Sequence, residues 1–243
     1  MEICYRYMST ADLILNFASN RNSFTLCELA DYVRDWENIS NSGLLWHIKK
    51  LIKQNHLSRL SRGLYGKYTK NNFMPLLTEE LRDLYADVSG AFLLIDVLVY
   101  SGNNITSLQH HISANNTLYI EVPKDATEAV FHYLTDKKIK AYHKPTAEFM
   151  SDYIDLGEKS VIVKALTTES PVIMIDGVRM PTLEKILVDI NADPDFYYLQ
   201  GDESFYIMQN ALSLYSINTP KMLRYASRRG IRETMKTILN YND

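Results

Sequence analysis

The sequence contains little cysteine, and this excludes two classes of small scaffold. Only Cys4 and Cys27 occur among 243 residues, and neither belongs to a Cys-x-x-Cys pair. A disulfide framework or a zinc ribbon needs more cysteines at closer spacing. Cys27 falls within a helical pattern, so we interpret it as a small core residue.

Targeting signals and long apolar runs are also missing. The N-terminus lacks the apolar segment of a secretory signal, and the longest apolar run, Ala91 to Tyr100, is interrupted by Asp96. A membrane-spanning helix needs about 18 or more consecutive apolar residues. Apolar residues make up 46% of the chain and charged residues 23%, which is typical of a globular protein. We therefore predict a soluble, cytoplasmic protein that does not contact a membrane.

Acidic residues are absent from one stretch. From Asn38 to Thr78 there is no aspartate or glutamate, yet there are seven lysines and arginines. The net charge of −3 hides this asymmetry, because residues 1–70 contain ten basic and six acidic residues, whereas the remainder contains sixteen and twenty-three. A basic N-terminal part on an acidic body suggests that only the N-terminal part contacts a polyanion.

The basic stretch begins with a helical pattern. Its apolar residues recur at helical spacing and form one stripe, while Trp46 and three lysines project from the opposite side. Ser40 is a suitable N-cap. The stripe consists of Leu44, Leu45, Ile48, Leu51 and Ile52.

A hairpin pattern follows this helix. Leu57 to Leu60 and Leu64 to Tyr68 are short extended runs on either side of Ser61-Arg62-Gly63, whose glycine permits a positive φ. Before the basic helix, Thr10 to Ala18 and Thr25 to Arg34 have helical patterns with capping boxes. Three short helices and a hairpin predict a winged helix-turn-helix domain over residues 1–72, with Thr25–Arg34 and Ser40–Gln54 as the helix pair.

In such a domain the second helix of the pair enters the major groove and the hairpin contacts backbone phosphates. We expect Asn41, Ser42 and Trp46, near the start of the basic helix, to contact base edges. The alternatives are a helix whose lysines are only solvated and a Trp46 that is partly buried. The residues expected to contact phosphates are Lys49, Lys50, Lys53, Arg59, Arg62 and Lys67.

Residues 73–243 predict an α+β domain, in which a mixed sheet with helices precedes an all-helical end. Leu76 to Tyr85 predicts a linker helix, and Val172 to Met180 predicts a hairpin with a type I′ turn at Asp176-Gly177. The predicted strands are Ala91 to Tyr100, Thr117 to Val122, Ile139 to Tyr142 and Ser160 to Leu166. The predicted helices are Lys124 to Lys138, Pro181 to Ile190, Glu203 to Tyr215, Lys221 to Arg229 and Ile231 to Leu239.

A second group of cations lies in the last two predicted helices, with Glu233 as the one acid among them. It predicts either a docking face for an acidic partner or a second phosphate contact, against the alternative of a solvated face with favourable charge at helix C-termini. The group consists of Lys221, Arg224, Arg228, Arg229, Arg232 and Lys236.

The sequence offers little support for catalysis. Asp96, Glu121 and Lys124 suggest a metal-dependent nuclease, but such sites usually need Glu-x-Lys on one strand face, and Pro123 occupies that lysine position. Glycine-rich phosphate loops and a Gly-x-Ser-x-Gly motif are missing. We therefore predict no catalytic residue and no cofactor.

Metal-ligand spacing is missing as well. The pair His110-His111 has no third ligand near it in the sequence, so we predict no metal site there. A group of acids fits no calcium-binding loop and is interpreted as an acidic loop and helix start. That group consists of Asp189, Asp193, Asp195, Asp202 and Glu203.

The order of several motifs resembles a known family, the AbiEi-type antitoxins and transcriptional regulators of type IV toxin–antitoxin systems. The wing sequence L-S-R-L-S-R-G-L-Y-G, Leu57 to Gly66, is similar to theirs, and the resemblance spans nearly the whole chain. Further similar segments are Asp96 to Ser101, Tyr119 to Pro123, Val130 to Leu134, Arg179 to Ile190 and Met222 to Gly230.

This resemblance implies a repressor that binds inverted repeats in its own promoter and is encoded beside a nucleotidyltransferase toxin. The C-terminal domain would carry the antitoxin activity without being an enzyme. By position, Ser40 to Lys53 corresponds to the recognition helix, and Arg59, Arg62 and Gly63 correspond to the wing. Inverted repeats suit either a dimer or two monomers on two half-sites. A nuclease of restriction-endonuclease-like fold targeted by the winged helix, and a winged-helix protein-interaction module, remain alternatives.

Overall fold

The computed structural model describes residues 8–111 and 115–240, which form two compact units, Met1–Lys70 (unit 1) and Asn71–Asp243 (unit 2). The sequence placed a domain boundary after residue 72. Cys4 lies outside the described residues. No helix in the described ranges is long and apolar enough to cross a membrane.

Unit 1 consists of three helices and a three-stranded antiparallel sheet in the order β1-β3-β2. The predicted capping boxes of the first two helices are present, because Ser9 pairs with Asp12 and Thr25 pairs with Glu28. The sequence predicted every element except the short first strand. The elements are α1 (Thr10–Ser19), β1 (Phe24–Thr25), α2 (Leu26–Arg34), α3 (Asn41–Lys53), β2 (Leu57–Ser61) and β3 (Leu64–Lys67).

The core of unit 1 forms where the apolar stripes of the three helices meet the sheet. Ile14 of α1, Leu29 of α2 and Ile48 of α3 are fully buried together with Leu57 of β2. Cys27 is exposed, so the interpretation of a core cysteine is wrong. At about 100° per residue, position 27 lies roughly 110° around α2 from the middle of the stripe that this helix buries, outside that stripe.

Unit 2 is built on a four-stranded mixed sheet in the order β4-β5-β7-β6. Strand β4 is antiparallel to β5, whereas β7 is parallel to both of its neighbours, β5 and β6. This arrangement confirms the predicted mixed α+β class. The first elements of unit 2 are α4 (Glu79–Ala91), β4 (Leu98–Ser101), a 3₁₀ turn (Gly102–Leu108), β5 (Leu118–Val122), α5 (Thr127–Asp136), β6 (Ala141–His143), α6 (Ala147–Tyr153) and β7 (Val161–Ala165).

Helices and a hairpin cover both faces of this sheet. Alternate residues of the strands supply two cores: Tyr119 and Ile162 belong to one, while Ile120 and Val163 belong to the other. The first core includes the helical end of the chain, which the sequence predicted. The remaining elements are β8 (Val172–Ile175), β9 (Val178–Pro181), α7 (Leu183–Ala192), a 3₁₀ turn (Pro194–Leu199), α8 (Asp202–Leu214), α9 (Thr219–Arg228) and α10 (Arg232–Asn240).

The prediction of one buried strand from Ala91 to Tyr100 is wrong in its first half. Helix α4 begins after its N-cap Thr78 and continues to Ala91. A connection follows it, and β4 starts only at Leu98. Between them, Leu93 and Leu94 are 82% and 100% exposed. A short apolar run does not by itself distinguish a strand from a helix end and its connection.

The predicted hairpin between β8 and β9 is confirmed. Asp176 and Gly177 have φ values of 48° and 81°, and positive φ at both central residues is the requirement of a type I′ turn. Pro181, predicted at a helix start, is instead the last residue of β9, and α7 begins at Leu183 after its N-cap Thr182.

Candidate functional site

Unit 1 presents six exposed cations, which we call the cationic face. They lie on α3 and on the hairpin β2–β3, and each was expected from the sequence to contact phosphate. In the part of the chain that the structure describes, none of the six forms an ion pair with a carboxylate. The cationic face consists of Lys49, Lys50, Lys53, Arg59, Arg62 and Lys67.

Local sequence determines how α3 presents its half of this face. The helix begins where Oγ of Ser40 accepts the backbone N–H of Gly43 at 3.2 Å. Burial of Leu44, Ile48 and Leu51 then fixes its rotation. The lysines therefore point to solvent. Asn41 and Ser42, in the first turn of α3, are exposed too.

The hairpin carries the other half of the face. Leu57 is buried and pairs with Lys67, whose side chain is exposed. Gly63 has a φ of +79° at the tip, next to Arg62. Because the left-handed region favours glycine, this residue lets the chain turn and leaves Arg62 exposed beyond the strand ends. Nε of Arg59 donates to the carbonyl of Ser61 at 3.3 Å.

Trp46 stands on the exposed side of α3. Trp46 is 59% exposed, so it is partly buried while most of its surface faces solvent. Nζ of Lys50 lies 5.6 Å from the centre of the Trp46 ring, within the range of a cation–π contact. His47, which the sequence analysis did not assign to DNA contact, meets the Trp46 ring edge-on at 4.9 Å.

Three acids of unit 1 are engaged away from the cationic face. Glu28 accepts the backbone N–H of Thr25 at 2.6 Å as a helix cap. Glu37 accepts the hydroxyl of Thr10 at 2.6 Å, and Asp31 pairs with Arg34 at 2.8 Å. The positive charge of α3 and the hairpin is therefore not neutralised locally, and it is available to a polyanion.

The second predicted cluster of cations is divided by the structure. Arg224, Arg228 and Arg232 are exposed and Lys221 is half-buried. Arg228 already pairs with Glu169. Lys236 pairs with Glu233 at 2.8 Å. Arg229 turns into the protein and pairs with carboxylates there, so it does not belong to an exposed docking face.

Arg229 joins a group of buried ionisable side chains that we call the charged core. The group contains three cations and four carboxylates. It lies where β5 and β7 meet α7, the chain after α7 and the end of α9. Its members are Glu121, Lys164, Lys185, Asp189, Asp193, Asp195 and Arg229.

Lys185 is the most buried cation of the charged core, with 1% of its side chain exposed. Its Nζ donates to Glu121 Oε1 at 2.8 Å and to Asp189 Oδ2 at 2.5 Å. Tyr100 and Tyr225 complete the network, since their hydroxyls donate to Glu121 at 3.1 Å and to Asp189 at 2.9 Å. Each buried charge therefore has a partner, which is the condition for burying it at acceptable cost.

Lys164 holds the other side of the charged core. It stands directly opposite Glu121 on the neighbouring strand. Its Nζ donates to Asp193 at 2.7 Å and to Asp195 at 3.0 Å. A cavity of about 310 Å³ beyond the carboxyl end of β7 is lined by Lys164, Asp193, Asp195 and Arg229. Crevices at the carboxyl ends of parallel strands are common ligand positions in α/β sheets.

The environment of the charged core shifts several pKa values. Burial alone would lower the pKa of Lys185, but Asp189 and Glu121 outweigh burial and raise it. Burial would raise the pKa of Asp193, but Lys164 and Arg229 hold it below its usual range. Burial raises the pKa of Tyr100 and of Tyr119 far above the ordinary value.

Unit 2 is therefore expected to lose stability as the pH rises above about 10. Folded Lys185, Tyr100 and Tyr119 keep protons that the unfolded chain releases, so alkali favours unfolding by up to about 1.4 kcal/mol per group per pH unit. Thermal unfolding followed by circular dichroism between neutral and alkaline pH measures this loss. A midpoint that stays constant beyond the ordinary tyrosine pKa would contradict the proton assignment.

The three residues of the nuclease alternative lie in different surroundings. Asp96 pairs with Arg179 at 2.7 Å, and its side chain is 63% exposed. Glu121 belongs to the charged core, while Lys124 is exposed in the turn after β5. The lysines near Glu121 are Lys164 and Lys185, from a different strand and a helix.

Sequence reasoning missed two groups of residues. Asp189, Asp193 and Asp195, which the sequence analysis assigns to an acidic loop and helix start, belong to the charged core. The sequence signal for such a core is a charged residue inside an apolar strand or helix, such as Glu121 in Leu118–Val122. The second group is His110, His111 and Glu203, because the fold places Glu203 of α8 beside the histidine pair. These partners are far apart in sequence, and no local pattern pairs them.

A family model matches residues 43–243, and it is described as a family of unknown function (DUF6577). The matched range begins within α3 and includes all six cations of the cationic face, the hairpin and unit 2. No curated protein matches the chain. The chain therefore belongs to the DUF6577 family of unknown function.

Proposed function

We propose that unit 1 is a winged helix-turn-helix domain and that the protein is a cytoplasmic transcriptional repressor that binds double-stranded DNA through it. In this proposal α2 and α3 are the helix pair and β2–β3 is the wing. The observation that carries it is the cationic face, six exposed cations on α3 and the hairpin without a carboxylate partner among the described residues. A solvated helix usually mixes both signs of charge.

The proposed binding mode assigns a role to each part of the face. Helix α3 enters the major groove with its N-terminal residues Asn41, Ser42 and Trp46 toward base edges. Lys49, Lys50 and Lys53 meet phosphates along the groove. Contacts of this kind position a protein on DNA but do not read its sequence. The hairpin places Arg59, Arg62 and Lys67 on the adjacent backbone.

We further propose that the protein represses its own promoter and acts as the antitoxin of a type IV toxin–antitoxin pair. This part rests on the resemblance to AbiEi-type regulators over the wing, Leu57 to Gly66, and the similar segments of unit 2. In it, unit 2 has no enzymatic activity and its partner is a nucleotidyltransferase-type toxin. Unit 2 contains sixteen basic and twenty-three acidic residues, a balance that does not favour DNA as its ligand.

Nuclease footprinting of the full chain on the DNA upstream of its own coding region tests the repressor proposal. We expect protection of an inverted repeat, in two half-sites about one helical turn apart or a multiple of it. The absence of any DNA complex at low salt would overturn the proposal. It would favour the alternative of a winged-helix protein-interaction module.

Substitution of Asn41 by alanine is expected to relax sequence choice. An asparagine that pairs with adenine contributes roughly 1–3 kcal/mol of discrimination, so the ratio of operator to scrambled-DNA affinity should fall about 5- to 150-fold. Fluorescence anisotropy with both DNAs measures this ratio. Lys53→Ala is the matched control, because loss of a phosphate contact weakens both complexes equally. An unchanged ratio in Asn41→Ala would remove Asn41 from the readout.

A further inference from the structure

A carboxylate and two imidazoles meet at one edge of unit 2. Glu203, in the first turn of α8, turns its carboxylate to the segment after the 3₁₀ turn Gly102–Leu108. Its Oε1 accepts the backbone N–H groups of His110 at 2.6 Å and of His111 at 3.3 Å. Its Oε2 lies 3.2 Å from Nδ1 of His111, which lies 3.2 Å from Nδ1 of His110.

Two of the three separations between these atoms match the coordination shell of a small cation, and all three atoms lie within 4.8 Å of one another. Ligands about 2.0–2.1 Å from a tetrahedral zinc ion are about 3.3 Å apart. The two contacts at Nδ1 of His111 are both 3.2 Å long. Two neutral ring nitrogens that face each other with lone pairs repel, so either a proton or a cation lies between His110 and His111.

The ligands are held in place before any ion binds. The side chain of Glu203 is 12% exposed. Oε1 accepts two backbone N–H groups and Oε2 contacts the ring of His111, so the orientation of the carboxylate is fixed. The ring of His110 stacks on Tyr206 with centroids 4.9 Å apart. Asn210 of α8 donates to the carbonyl of Leu108 at 2.8 Å, which holds the two segments together.

We propose that His110, His111 and Glu203 form a binding site for a divalent transition-metal ion, with zinc as its most suitable occupant. Two imidazoles and one carboxylate are ligands of zinc sites that keep a fourth position open. Both rings are exposed, so that position faces solvent. Magnesium and calcium prefer oxygen ligands and do not fit a set with two nitrogens. The bound ion links α8 to the chain that follows the 3₁₀ turn.

Calorimetric titration of the chelator-treated full chain with zinc chloride tests the site. We expect zinc binding that Glu203→Gln weakens at least 100-fold. Loss of a residue that only supports a metal ligand costs up to about 100-fold in affinity, and loss of a direct ligand should cost no less. Glutamine keeps the shape of Glu203 and can still accept the backbone N–H groups, so this variant is expected to fold. His111→Ala, which removes the central nitrogen, should weaken zinc binding at least as strongly.

His132→Ala is the matched control. His132 and Glu128 form an exposed pair 3.9 Å apart on α5, and among the described residues they belong to no group of three possible metal ligands. Its substitution should leave zinc affinity unchanged. Cobalt provides a second readout, since tetrahedral coordination gives visible absorption bands that Glu203→Gln should abolish. The proposal is overturned if zinc fails to bind, or if it binds equally to wild type, Glu203→Gln and His111→Ala. In that case a proton, and not a cation, lies between the two histidine rings.

Discussion

The double substitution Lys50→Ala/Arg62→Ala is expected to lower DNA affinity about 60-fold at about 0.1 M monovalent salt. Lys50 lies on α3 and Arg62 at the hairpin tip, so the variant removes one cation from each half of the cationic face. Each lost phosphate contact reduces the steepness of log affinity against log salt by about 0.9. Two lost contacts change it by about 1.8, which at about 0.1 M salt is a factor of about 60 in affinity. The loss should be equal for operator and unrelated DNA, because phosphates carry no sequence information.

The control for this variant is Lys124→Ala/Lys138→Ala, which changes net charge equally but lies on unit 2. Both lysines are exposed. If long-range charge alone attracted DNA, this control would weaken binding as much as the first pair. We expect it to have little effect. Equal losses in the two variants would contradict the assignment of DNA binding to α3 and the hairpin. All four side chains are exposed, so folding should stay intact, and thermal unfolding of each variant checks this.

Lys185→Met is expected to produce the largest loss of stability. Lys185 is fully buried, and its removal leaves Glu121 and Asp189 without the cation between them. Loss of one partner of a buried ion pair costs roughly 3–5 kcal/mol, because the remaining charge stays desolvated. For a unit of this size the loss corresponds to a fall of roughly 2 M in the urea midpoint. Circular dichroism in urea measures it.

Two further variants separate lost charge from lost packing. Lys137→Met removes a cation that pairs with Asp87 on the surface, and surface pairs contribute little. Its urea midpoint should therefore stay close to that of wild type. Lys185→Met/Glu121→Gln should recover part of the lost stability, since one unpaired carboxylate is gone. A midpoint for Lys185→Met equal to that of Lys137→Met would contradict the role of the charged core.

Elements with local signals were predictable from the sequence. Ser40 caps α3, three buried residues set its rotation, and Gly63 marks the hairpin tip, so the position of the cationic face followed from residues close in sequence. The same holds for the Asp176-Gly177 turn. Short elements, such as β1 with two residues and α6 with seven, were not predicted, although Thr146 caps α6. Leu93 and Leu94 led to the wrong prediction of a buried strand, because hydrophobicity alone does not specify burial.

The charged core was not predictable because its pairs are distant in sequence. Lys185 meets Glu121 across 64 positions, and Lys164 meets Asp193 across 29. A single charged residue within an apolar strand, as in Val161–Ala165, indicates a buried charge, but only the fold identifies its partner. The contact between Glu203 and His111 was not predictable either, because 92 positions separate them in the sequence. Arg229 shows the converse, since the basic run of the last two helices predicts one exposed group, whereas Arg229 pairs with carboxylates inside the protein.

The salt dependence of DNA binding by the wild-type chain tests the central claim most directly. A mobility-shift titration on the DNA upstream of its own coding region, repeated over a series of salt concentrations, gives the slope of log affinity against log salt. The account predicts a slope of roughly −4 to −5, as expected for about five neutralised phosphates. A slope near zero would contradict it, because the cationic face would then make no contact with the phosphate backbone.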